Sequence, residues 1–151
     1  MSACHIILDT NVCLDLFVFR DPRCMELMQM LKNRTVSALT RNDCRDEWLR
    51  VLTYPSLSLD NTIREKCIAK YDEMIFCADI EKKDYALLPL CHDQDDQKFL
   101  ELTYDAKAGF LITKDKALLK LSGKTRKRHL FQIIKPEQSN LILRAIKQKE
   151  T

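Results

Sequence analysis

Along the chain, apolar and polar positions follow two different rhythms. Residues 5–8 (HIIL) and 110–113 (FLIT) are short, continuous apolar runs, the pattern of strands buried on both faces of a parallel sheet rather than half-exposed and alternating. Residues 35–39 (TVSAL) and 131–134 (FQII) are weaker runs of the same kind. Between them apolar residues recur at helical spacing over 12–18, 22–33, 43–53, 61–77, 95–106, 115–121 and 137–148. Asp21-Pro22 caps the second of these helices and Tyr54-Pro55 stops the third. Residues 86–90 (ALLPL) fit an edge or a loop, because Pro89 cannot donate to a central ladder. Strands alternating with helices predict an α/β fold: one domain over residues 1–151, with a mainly parallel central sheet flanked by helices.

The totals narrow the class. A chain of 151 residues that is 46% hydrophobic and 31% charged buries a sizeable core without help from a metal or disulfide. It contains no apolar run of about 18 residues, the length of a membrane span, and MSACHIIL lacks the basic start of a signal peptide. A cytoplasmic protein is expected. Seven scattered cysteines without a C-x-x-C pair argue against a disulfide framework or structural zinc and read as small buried apolar residues. Only Gly109 and Gly123 are glycines, which excludes a P-loop and a dinucleotide-binding turn. Net charge is +3, but KTRKRH at 124–129 concentrates Lys124, Arg126, Lys127 and Arg128. That segment is either a solvated loop or a contact for nucleic-acid phosphates.

The acids carry the chemistry. HDQDDQ at 92–97 sets three aspartates into four positions before an apolar stripe; helix capping accounts for one or two of them. On a helical wheel Asp96 faces the stripe of Phe99, Leu100 and Thr103. Glu47 falls on the apolar face of Cys44, Trp48, Val51 and Leu52, while Asp43 and Asp46 fall outside it. Asp9 and Asp115 follow the two strongest strands, at the carboxyl ends where open α/β sheets bind ligands. Each has an alternative: Asp9 and Asp115 as helix caps, Glu47 as partner of an arginine. If the four converge they repel one another, and a hard divalent cation, Mg²⁺ or Mn²⁺, resolves the repulsion with oxygen ligands.

LDTNVCLDL (8–16), EWLRVLTYP (47–55), CHDQDDQKFLEL (91–102) and FLITKDKALLKL (110–121) together resemble the PIN domain (PilT N-terminus) family. The likeness is in particular to the branch described as toxin components of bacterial toxin–antitoxin pairs, and it covers residues 4 to about 140. The resemblance implies a metal-dependent ribonuclease. By position it assigns Asp9, Glu47, Asp96 and Asp115 as the four acids, with Asn11 arranging the first. Thr113 stands before the last acidic turn, and Asp93 is an accessory acid. One ion would lie at Asp9, Asp96 and Asp115; Glu47 would serve a second ion or orient the attacking water. The partners implied are RNA, an antitoxin protein and a second copy of the chain. Met25, Met28 and Met30 are candidates for that homodimer or for the core. The chain departs from the branch at Gln94 (usually proline), Gln97 (usually aspartate) and Lys114 (often a small residue). Lys114 would either grip phosphate or displace a metal.

Two other readings follow from the same residues. In the first, the fold is a catalytically weak module that binds RNA or an antitoxin. In the second, it is a phosphatase or phosphotransfer receiver, which also set aspartates after strands. Asp9-Thr10-Asn11 lacks the second aspartate of the phosphatase D-x-D, and the paired acids here come late in the chain rather than early.

Overall fold

The computed structural model describes residues 4–150; residues 1–3 and 151, included in the expected single domain, lie outside it. Five strands, β1 (Cys4–Leu8), β2 (Val36–Thr40), β3 (Ile75–Cys77), β4 (Phe110–Ile112) and β5 (Gln132–Ile134), form one sheet in the order β3-β2-β1-β4-β5. Every pairing is parallel. Among the described residues eight α-helices connect and cover them: α1 (Thr10–Phe17), α2 (Met25–Lys32), α3 (Asn42–Val51), α4 (Asn61–Met74), α5 (Gln97–Asp105), α6 (Lys116–Leu119), α7 (Ser122–Lys127) and α8 (Asn140–Glu150).

Alternation along each strand divides the interior in two. Ile6 and Leu8 of β1 and Phe110 and Ile112 of β4 face a core shared with Val12, Leu16 and Phe17 of α1, Leu27 of α2, Trp48 of α3 and Tyr71 of α4. Ile7 and Leu111 face the other core, with Phe99, Leu100 and Leu102 of α5 and Leu118 of α6. Both central strands are thus buried on both faces, which is why they read as unbroken apolar runs. In the first core the Trp48 and Tyr71 rings stack 5.2 Å apart, with Phe17 edge-on to both.

The structure corrects several expectations. The helix expected over 61–77 ends at Met74, and Ile75–Cys77 becomes a fifth strand beside β2. No glycine or proline separates the two elements, so apolar spacing alone ran one into the other. Residues 86–90, by contrast, form a turn and loop in keeping with Pro89, with Leu88 and Pro89 buried. The basic segment is helical over Ser122–Lys127 rather than a loop. Cys77 is exposed and Cys4 half-buried, against the reading of all seven cysteines as core. Met30 belongs to the core and Met28 packs beside it; of the three candidate methionines only Met25 is exposed.

The long segment between β3 and α5 has few regular hydrogen bonds, and two polar clamps hold it. The Asp105 carboxylate, its side chain fully buried, accepts from Arg41 Nη1 (3.0 Å), Tyr85 Oη (2.7 Å) and the Lys83 N–H (3.1 Å). Gln97 accepts from the Cys91 N–H (2.6 Å) and donates to the Pro89 carbonyl (3.3 Å). Gln97, where the resembled branch has an acid, is therefore a loop clamp.

Removing Asp105 leaves Arg41, itself only 8% exposed, with Asp43 as its remaining carboxylate partner. Asp105→Ala is expected to cost about 3 kcal/mol, lowering the thermal midpoint by about 6–12 °C in a domain of this size. Tyr85→Phe is expected to cost only about 1 kcal/mol. Thermal unfolding by circular dichroism checks both; an Asp105→Ala protein as stable as Tyr85→Phe would show that the ion pair does not hold the segment.

Candidate metal centre

In a parallel sheet all carboxyl ends lie along one edge. The chain leaves β1, builds β2 and β3 on one side, then returns to place β4 on the other. The gap between β1 and β4 is thus a topological switch point, the place where open α/β sheets receive ligands. Asp9 follows β1 and its N–H donates to the Ile112 carbonyl of β4 at 3.0 Å; Thr113 and Asp115 follow β4 itself.

Asp9 stands at the N-cap position of α1, yet its carboxylate makes no capping bond. It is 3% exposed, and its Oδ2 accepts from Thr113 Oγ1 at 2.7 Å. That hydroxyl in turn accepts from the Asp115 N–H at 3.0 Å. Thr113 is fully buried, so its single hydroxyl ties the first acid to the turn that carries the last. Asp115 does cap α6, accepting from the Ala117 N–H at 2.8 Å. For this residue helix capping and membership of an acidic group coexist in one carboxylate.

Asp96 ends a 3₁₀ turn (Gln94–Asp96) that leads into α5. Asp93 opens the turn by accepting from the Asp95 N–H at 3.0 Å. Asp93, Asp96 and Asp115 each offer an oxygen, and these oxygens lie within 4.8 Å of one another. The side chains of Asp96 and Asp115 are half-buried and that of Asp93 is exposed, so the group opens toward solvent on one side.

Electrostatics reports the crowding. Burial, and then the neighbouring Asp115 carboxylate, push the Asp96 carboxyl up to about 8, with Asp9 and Asp93 adding repulsion. Burial also raises Asp9 to about 6, opposed by the Thr113 hydrogen bond and reinforced by Glu47 and Asp115. Asp96 Oδ2 is buried without a hydrogen-bond partner. A buried carboxylate oxygen that accepts from no protein donor, on a residue grouped with two other acids, fits a hard cation, which would take the unused lone pair. The donor set, all carboxylate, suits Mg²⁺ or Mn²⁺ rather than a soft metal.

The remaining candidates are placed as follows. Glu47 of α3 is half-buried and lies outside the three-carboxylate group: Thr10 Oγ1 donates to its Oε2, and Lys98 Nζ lies 2.7 Å from its Oε1. The partner expected as an arginine is thus a lysine, from α5. Lys114 Nζ reaches Asp15 Oδ2 at 2.6 Å. Asn11 is exposed at the start of α1. Lys124, Arg126, Lys127 and Arg128 are exposed on and just after α7, and Arg128 Nη1 donates to the Leu87 carbonyl at 2.9 Å. Sequence reasoning gave Lys98 and Thr10 no role. Thr10 carried one available signal, a hydroxyl directly after Asp9. Lys98 carried none, because the wheel treated 95–106 as one α-helix, whereas its first turn is 3₁₀ and advances about 120° per residue.

No curated protein and no solved structure matches the chain. A family model described as PIN domain matches residues 5–117, a span that contains β4, all of β1 but Cys4, and every acid named above. PIN domains are generally nucleases, with a fold of the nuclease type, and generally use divalent metals. With three-quarters of its length matched, this chain belongs to the PIN domain family.

Proposed function

We propose that the protein is a Mg²⁺- or Mn²⁺-dependent endoribonuclease. The observation that carries this reading is the convergence of Asp93, Asp96 and Asp115 oxygens within 4.8 Å, with one Asp96 oxygen buried and unpartnered. Those three carboxylates hold the cation. Asp9, ordered by Thr113, adds its charge to the set, and Glu47 borders it. When bound, the cation supplies Lewis-acid polarisation of a phosphoryl oxygen and makes water acidic enough to attack at neutral pH.

The chain's own groups supply the rest. Thr113 fixes the Asp9 carboxylate and the Asp115 turn in one geometry, so the anionic set is formed before substrate arrives. The exposed cations of α7 contact phosphates and give RNA its affinity; such a basic surface favours a polynucleotide over a small phosphomonoester. Lys114, paired with Asp15, is turned to a carboxylate outside the three-acid group. That pairing removes its competition with the metal and weighs against a module that only binds RNA or an antitoxin. On the strength of the family resemblance, the protein acts in the cytoplasm as the toxin component of a toxin–antitoxin pair. A cleft of about 930 Å³, lined by Met25, Met28, Leu59 and Ile63 and by Arg20, Lys32, Lys66 and Lys70, suits an acidic amphipathic antitoxin segment.

The test compares wild type with Asp115→Asn and Thr113→Val on single-stranded RNA. Asparagine caps helices about as well as aspartate but removes the charge that holds a cation. Asp115→Asn is expected to lose Mn²⁺ affinity and cleavage together, by at least about tenfold, with little change in thermal midpoint. Thr113→Val is expected to lose about 10–100-fold. Unchanged metal binding and cleavage in Asp115→Asn would leave Asp115 a helix cap only.

The raised Asp96 carboxyl also makes stability depend on pH. Unfolded, the group titrates near 3.9; folded, it titrates at about 8. Between those values the folded protein holds a proton that the unfolded chain has released, so the stability this one carboxyl contributes to the metal-free protein is fully present below about pH 4 and is lost as pH rises toward 8. Asp96→Asn abolishes this decline. In chelator-treated protein the variant's thermal midpoint should exceed wild type's by a few degrees more at pH 8.5 than at pH 5, since about 1 kcal/mol moves it by about 2–4 °C. Adding Mn²⁺ should stabilise wild type at pH 8.5 and leave Asp96→Asn nearly unmoved. A midpoint difference constant across pH would show that Asp96 is not held protonated by its surroundings.

A further inference from the structure

The half-buried ion pair of Glu47 and Lys98 has an unusual position. Glu47, from α3, brings a negative charge close enough to raise the Asp9 carboxyl, yet it takes no part in the group formed by Asp93, Asp96 and Asp115. Both its oxygens are already engaged: Oε1 with Lys98 Nζ at 2.7 Å, and Oε2 with the Thr10 hydroxyl. The lysine is equally fixed. It stands two residues beyond Asp96, and its Nζ also donates to the Asp95 carbonyl at 2.6 Å. The two side chains are only 21% and 15% exposed, which makes the pair less screened than a surface salt bridge.

We propose that Lys98 is a built-in counter-ion that fills the place at Glu47 which a second divalent cation would otherwise take, so that the protein has one divalent-ion site rather than two. The inference rests on the metal reading of the acid cluster. A lysine ammonium suits the position: it is a compact point charge that neutralises one carboxylate without demanding several oxygen ligands. It carries three N–H donors, and two of them are committed, to Glu47 and to the Asp95 carbonyl. The third is available to a phosphate oxygen of bound RNA. Lys98 is therefore a positioning residue for Glu47 and a fixed positive charge beside the cation that Asp93, Asp96 and Asp115 hold.

Metal stoichiometry tests this without recourse to activity. Calorimetric titration of Mn²⁺ into metal-free protein is expected to give one ion per chain for wild type. Lys98→Met, with Glu47 freed, is expected to give two, and electron paramagnetic resonance should then show an exchange-coupled Mn²⁺ pair absent from wild type. Lys98→Met combined with Glu47→Gln should return to one. Glu47→Gln alone, which does not depend on the lysine variant folding, should keep a single Mn²⁺ site, with affinity lowered by the Lys98 charge left unpaired beside it.

Wild type binding two ions would overturn the proposal, as would a folded Lys98→Met protein that still binds one. Loss of the single site in Glu47→Gln would overturn it too, by showing that Glu47 is itself a ligand there. Wild type binding no Mn²⁺ would sink the metal reading and this inference together, an outcome distinct from the other three.

Discussion

Carboxylates gathered at the carboxyl edge of a parallel sheet, partly out of water, repel one another, and the cost of holding them there shapes the surrounding structure. Burial and the neighbouring acids raise the Asp96 and Asp9 carboxyls above the ordinary aspartate range. Nothing in packing favours such an arrangement. The fold tolerates it because neighbouring groups offset the charge: the Thr113 hydroxyl at Asp9, the Ala117 N–H at Asp115, the Asp95 N–H at Asp93 and Lys98 at Glu47. Asp96 Oδ2 alone in this set is buried without a partner, and it marks where an external charge would act.

The scaffold explains how the acids stay in place. Asp9 and Asp115 are carried by the two central strands, each buried on both faces, and the Thr113 hydroxyl couples their turns. Asp93 and Asp96 lie in the long connection from β3, which has little regular structure of its own. There, buried polar clamps substitute for strand pairing: Arg41, Tyr85 and the Lys83 N–H on Asp105, and Gln97 across 89–91. These clamps stand on either side of the acidic turn in the chain. Their stability therefore bears on where Asp93 and Asp96 sit, although none of the clamping groups belongs to the acid cluster.

How much of this could be read from sequence varied with the physics involved. Continuous apolar runs marked β1 and β4 because double-sided burial leaves no polar positions. The order of elements then placed Asp9 and Asp115 at strand ends, where the structure has them. The strand β3 was hidden, since Ile75-Phe76-Cys77 continues an apolar spacing and no turn residue interrupts it. The wheel turned Asp96 inward, as the half-buried carboxylate is, but treated Asp93 as accessory; a 3₁₀ turn brings Asp93 beside Asp96 and Asp115. Partners distant in sequence, such as Lys98 for Glu47 across 51 positions and Arg41 for Asp105 across 64, left no local pattern. Such pairings depend on how helices lie against the sheet, which periodicity does not encode.

Diffraction from crystals soaked in Mn²⁺, recorded so that manganese scatters anomalously, tests the central claim most directly. The account predicts an anomalous peak bounded by the carboxylates of Asp93, Asp96 and Asp115, at the roughly 2.0–2.2 Å expected for hard-cation oxygen ligands, with the Lys98–Glu47 pair intact beside it. A structure at saturating Mn²⁺ with no peak among those three acids would contradict it.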